Sequence, residues 1–282
     1  MKSLSIYTAL GFAVVASSIA VAAQNSGSVV SDEVIKKQRA QLATNTDGKG
    51  FGPQSPRNID DAKGSNTRAF GSSPAYTSMN LCNIHFHKNA EHQGGEFTKY
   101  AGNGDGKGQR TGYKYSGKLS KAEATTVKTA NDFGVNSGDT IEVHYVHTSA
   151  QVKPGPTLGS CISEAIKNPQ LRVETQVYVL VNDINALDFN SLASYSNTNG
   201  VYQADNIPTN TGKPITYSGS TTGPKFNEQA SPFQVTWSVR PKVAKINTKS
   251  VHKWLSGNDF NEDHAHGVRN LVTNPSLLSA IN

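Results

Sequence analysis

Short runs of β-branched and aromatic residues alternate along the chain with clusters of Gly, Asn, Ser and Asp. The runs fall at Leu81 to His87, Thr140 to His147, Arg172 to Val181 and Phe233 to Val239. Runs of this length bounded by turn-forming residues predict β-strands. No long segment carries helical periodicity, and only Val34 to Leu42 suggests a short helix. That stretch lies in polar sequence, residues 24–50, which reads as a flexible lead-in. Residues 51–282 read as one β-dominated domain with long loops. Within it, Asn103-Gly104-Asp105-Gly106-Lys107-Gly108 lacks the closing Glu of a calcium loop and reads as a turn.

The start of the chain has a different character. Lys2 supplies positive charge, Leu10 to Ala23 is a short apolar stretch, and Ala20-Val21-Ala22-Ala23 offers small residues for cleavage. Residues 1–23 therefore read as an export signal, and the mature chain is expected in a periplasm or outside the cell. No later segment approaches the ~20 apolar residues of a helical span, so no membrane span is expected in the mature protein. In an oxidising compartment the two cysteines, Cys82 and Cys161, are expected to be joined. The net charge of +6 is spread among Gly, Asn and Ser without a Lys/Arg block, which argues against a nucleic-acid partner. At 35% hydrophobic residues over 282 positions, the chain can bury a real core.

The candidate chemistry lies in the histidines. Four of the eight occur in two strand-like segments, Asn83-Ile84-His85-Phe86-His87 and Ile141-Glu142-Val143-His144-Tyr145-Val146-His147. Side chains two apart on a strand share a face, so Asn83, His85 and His87 project together, with Cys82, Ile84 and Phe86 on the other side. By the same parity Glu142 accompanies His144, while His147 points away. Three neutral imidazoles on Zn²⁺ leave a fourth position for water, the arrangement of a catalytic zinc site, and water bound there loses its proton near neutral pH. Glu142 is placed to accept the hydrogen bond of the ring nitrogen of His144 that faces away from the metal.

These residues resemble the active-site run of the α-class carbonic anhydrases. Leu81-Cys82-Asn83-Ile84-His85-Phe86-His87, Gln93-Gly94-Gly95-Glu96-Phe97-Thr98 and Glu142-Val143-His144-Tyr145-Val146-His147 are similar to that family's His-Phe-His, Gln-Gly-Ser-Glu-His-Thr and Glu-Leu-His-Leu-Val-His segments. Gln54-Ser55-Pro56-Arg57-Asn58-Ile59 resembles its Gln-Ser-Pro motif. Tyr217-Ser218-Gly219-Ser220-Thr221-Thr222-Gly223-Pro224, with Val235-Thr236-Trp237 beyond it, resembles its Thr-Thr-Pro-Pro segment and the strand that follows. The wide separation of His87 from His144, and Thr-Thr-Gly-Pro in place of Thr-Thr-Pro-Pro, resemble instead the δ-class carbonic anhydrases.

The resemblance implies a mainly β single domain with a twisted, largely antiparallel central sheet, long loops and few short helices. It implies a Zn²⁺ enzyme for reversible hydration of carbon dioxide to bicarbonate and a proton, with a zinc-bound hydroxide as nucleophile. His85, His87 and His144 would hold the metal, with Glu142 and Asn83 behind the ligands and Val146 lining the carbon dioxide pocket. Thr222, or Thr221 under a gapped match, would aim the nucleophile and would itself be oriented by Glu96. His92, His252, His264 and His266 are the available proton carriers. Two rival functions are a zinc esterase using Glu96 as general base, and a carbonic-anhydrase-like protein that binds zinc or a ligand without turnover.

Overall fold

The computed structural model describes residues 31–46, 57–61, 71–104, 110–221 and 233–268. The expected export signal, Gln54-Ser55-Pro56 and Thr222 lie outside the described residues. Part of the expected lead-in is a helix, α1 (Asp32–Thr46), longer than Val34 to Leu42. Asp32 and Glu33 occupy its first turn, where negative charge complements the unpaired N–H groups.

The centre of the molecule is a seven-stranded sheet: β1 (Asn80–Lys88), β2 (Thr140–Thr148), β3 (Leu171–Val181), β4 (Ile215–Thr221), β5 (Phe233–Val239), β6 (Ala244–Asn247) and β7 (His266–Gly267). The order is β4-β5-β3-β2-β1-β7, with β6 also pairing β3. The four strands expected from the sequence are β1, β2, β3 and β5, within a residue or so at each end. The expected antiparallel character holds for only half of the pairings. β4/β5, β3/β2 and β2/β1 are antiparallel, whereas β5/β3, β6/β3 and β1/β7 are parallel, so the sheet is mixed. Parallel neighbours cannot be joined by a tight hairpin and require longer crossover connections.

Both faces are covered. On one side Ile84, Phe86, Ile141, Val143, Tyr145, Tyr178 and Leu180 pack beneath α2 (Phe189–Leu192) and α3 (Thr248–Leu255). Phe86, Phe189 and Trp254 form an aromatic cluster there, with ring centroids 4.9–5.8 Å apart. On the other side Val146, Val173, Val177, Val235, Trp237 and Val239 form a second core. Burial on both faces explains why the strands read as nearly continuous apolar runs.

The parity argument meets one exception. The register slips between Leu81 and Asn83, so that Leu81 faces His147 and Asn83 faces Val146, with Cys82 as the extra residue of a bulge. Leu81 consequently joins the helix-covered core with Ile84 and Phe86, and Cys82 joins the opposite core with Val146. Cys82 therefore lies on the side of Asn83, not on that of Ile84. From there it forms the expected disulfide with Cys161, 79 residues away. Closing a loop of that length stabilises the fold by about 4 kcal/mol on the chain-entropy account.

Candidate metal centre

β1 and β2 pair antiparallel with His85 opposite His144 and His87 opposite Glu142. Alternation along each strand then brings His85, His87 and His144 onto one face, and one ring nitrogen from each lies within 4.8 Å of the others. The remaining ring nitrogens are engaged by protein acceptors. His85 Nδ1 meets Asn83 Oδ1 at 2.6 Å, His87 Nδ1 meets the Gly267 carbonyl at 3.3 Å, and His144 Nε2 meets Glu142 Oε1 at 2.7 Å. Acceptors require the proton on the nitrogen that faces them, so in the neutral rings the inward nitrogens carry lone pairs.

Two of those inward atoms, His144 Nδ1 and His85 Nε2, are 3.3 Å apart. Lone pairs that close repel unless a cation lies between them. A tetrahedral ion about 2.05 Å from each nitrogen sets them roughly 3.3 Å apart, so the donor set fits Zn²⁺ in both chemistry and spacing. Burial lowers the pKa of His87 to about 4; His144 and His266 add to that effect and Glu91 opposes it. His87 is thus neutral across the physiological range.

Behind the three histidines is a buried polar network. Glu142 Oε1 also meets His92 Nδ1 at 2.8 Å, its Oε2 accepts from the His92 backbone N–H at 3.1 Å, and His92 Nε2 lies 2.7 Å from the Tyr217 hydroxyl. Burial alone would raise the pKa of Glu142; His92 and His144 together hold it well below the ordinary carboxylate range. Trp237 stands edge-on to both rings, 5.1 Å from His144 and 5.2 Å from His92. Val146 is buried two residues beyond His144, in the core on the same side of the sheet as the three histidines. His147 is on the other parity and buried, its Nδ1 donating to the Tyr145 carbonyl.

Glu96 is not brought to the histidines. It is exposed, and its carboxylate accepts from the Val243 backbone N–H. The turn that carries it is fixed by Gly95: φ is +49°, and a Cβ there would lie 2.1 Å from the Pro241 carbonyl oxygen. Glu91 occupies the place instead, largely buried, 3.7 Å from His144 Nε2 and 4.0 Å from His87 Nδ1. The sequence held a signal for this: Glu91-His92 matches the Glu-His pair of the Gln-Gly-Ser-Glu-His-Thr segment better than Glu96-Phe97 does. Arg57-Asn58, from the Gln-Ser-Pro motif, pairs in parallel with His92-Gln93 and so joins the two motifs in space. Thr221 ends β4, and Thr222 lies outside the described residues.

The histidines expected as proton carriers separate into two groups. His92 is buried between Glu142 and Tyr217, and His252 is buried on the Val135 carbonyl. His266 enters the site on β7, its ring 5.2 Å from that of His85 and 5.6 Å from that of His87, with Nε2 2.6 Å from Glu262. His264 stacks on His266 at 6.0 Å and 12°, with a side chain 71% exposed.

Sheet and cluster together define a class: a mixed β-sheet protein with three imidazoles set on one face of its central strands that could hold a metal ion. Residues 76–250 match the family model for delta carbonic anhydrase, more than half of the chain. The chain belongs to the delta carbonic anhydrase family. Among solved structures it is similar to the alpha-carbonic anhydrase of Photobacterium profundum, at 12% identity and a TM-score of 0.23, over 85% of this chain and 95% of that one. No curated protein matches it.

Proposed function

We propose that this chain is a zinc carbonic anhydrase that interconverts carbon dioxide and bicarbonate. The observation that carries the proposal is the convergence of three imidazole lone pairs whose tautomers are set by Asn83, Gly267 and Glu142. Zinc held by His85, His87 and His144 supplies the Lewis acidity that makes water a nucleophile near neutral pH. Glu142 holds the proton on Nε2 of His144 and keeps Nδ1 as a donor to the metal. Val146 provides an apolar wall suited to a substrate with little hydrogen-bonding capacity. Glu91, in place of Glu96, is the carboxylate at the cluster, and Thr222 is its proposed hydroxyl partner for orienting the attacking oxygen.

The proton leaves through His266 and His264. His266 touches the ligand rings and His264 reaches solvent, and imidazole is suited to carrying a proton near neutral pH. An esterase with Glu96 as general base is not supported, because that carboxylate is occupied at the surface by Val243. Residues 1–23 are proposed as an export signal, which would place the enzyme outside the cytoplasm. The test is metal content and carbon dioxide hydration of the chain beside His144→Ala. Loss of both in the variant supports the proposal, and hydration that survives without the metal refutes it.

A further inference from the structure

A chain of contacts links the disulfide to the metal centre. The Cys82 carbonyl accepts from the Gly155 N–H at 3.0 Å, and the Gly155 carbonyl accepts from Asn83 Nδ2 at 2.9 Å. Gly155 is therefore gripped at both its backbone groups by consecutive residues of the β1 bulge. The loop that bears it ends at Cys161, whose sulfur is bonded to Cys82. Asn83, Cys82 and Cys161 are all buried.

The consequence lies in the amide of Asn83. One end of an Asn amide donates and the other accepts. With the Gly155 carbonyl requiring the donor end, Oδ1 is turned to His85 Nδ1, which must then carry the ring proton. Without Gly155 in place the amide could turn over, present Nδ2 to His85, and draw the ring lone pair away from the metal. We propose that the Cys82–Cys161 disulfide and the Gly155 carbonyl are positioning elements of the metal centre, holding the Asn83 amide in the one orientation that keeps the lone pair of His85 on Nε2, facing His144 Nδ1. The inference rests on the reading of the three histidines as a zinc site.

The decisive experiment is zinc affinity by competition with a fluorescent chelator, alongside nitrogen NMR of the His85 ring. It compares the full chain with the disulfide-free pair Cys82→Ser/Cys161→Ser and with Gly155→Val, each with Asn83 intact and as Asn83→Asp. Gly155→Val keeps the disulfide and covers the case in which its removal prevents folding; its Cβ would lie 2.8 Å from Ser160 Oγ, so either that hydroxyl leaves the Pro156 carbonyl or the loop shifts. With Asn83 intact, either change is expected to weaken zinc binding about 10-fold and to populate the Nε2–H form of His85. An Asp at 83 accepts through either oxygen, so in that background the same changes should alter affinity by less than about twofold, as coupling through one residue requires. Unchanged affinity and an unchanged ring with Asn83 intact would overturn the inference, as would an equal loss in both backgrounds. A chain that binds no zinc in any form would contradict the zinc reading instead, while the His85 nitrogen shifts would still decide whether loop and amide set its tautomer.

Discussion

Glu142 contacts two imidazoles and one backbone N–H, and its loss should be felt first in metal retention. Glu142→Gln is expected to weaken zinc binding ~10- to 100-fold by equilibrium dialysis, because the amide can present a donor to His144 where an acceptor is needed. His264 makes a different prediction. His264→Ala should leave zinc content unchanged but slow hydration about tenfold or more in dilute buffer, with recovery when imidazole is added. His147 bears on stability. Burial is the main cause that depresses its pKa from 6.5 to about 4; nearby Arg172 adds to it and the Tyr145 carbonyl opposes it. The unfolded chain then binds a proton that the folded chain refuses between those values, so stability is complete above about pH 6.5 and falls toward pH 4. The shift corresponds to roughly 3 kcal/mol, and urea midpoints of His147→Asn should be flatter across that window. Among these residues, His85, His87, His144 and Glu142 were legible because strand parity sorts side chains by face. Glu91 was not, because it follows the strand in an irregular turn where parity no longer applies.

At the level of elements, β1, β2, β3 and β5 were legible as runs of β-branched and aromatic residues bounded by turn-forming clusters. Their pairing was not. Alternation tells which way a side chain points but not which strand lies beside it, so the parallel pairings of β5, β6 and β7 could not be read. The bulge at Cys82 was equally hidden, since one inserted residue leaves no mark in composition while reversing the faces of everything before it. Phe86 sits between His85 and His87 in sequence yet packs on the opposite face against Phe189 and Trp254. Phe86→Ala should therefore cost about 3–5 kcal/mol in urea unfolding, while the zinc affinity of the protein that remains folded changes by less than about twofold. A collapse of zinc affinity in folded Phe86→Ala would mean that the two faces of β1 are not independent.

Across the whole molecule, the sheet separates a helix-covered core from the face that carries the histidine cluster, and that cluster lies where β1, β2 and β7 meet. Among the described residues no helix is long and apolar enough to cross a membrane. The most direct test of the central claim is stopped-flow carbon dioxide hydration by the chain as prepared, after zinc removal and after zinc is restored. The account predicts turnover that disappears with the metal, returns with stoichiometric zinc, and is absent from His144→Ala under every condition. A folded, zinc-loaded chain without turnover would contradict it, and so would turnover indifferent to zinc.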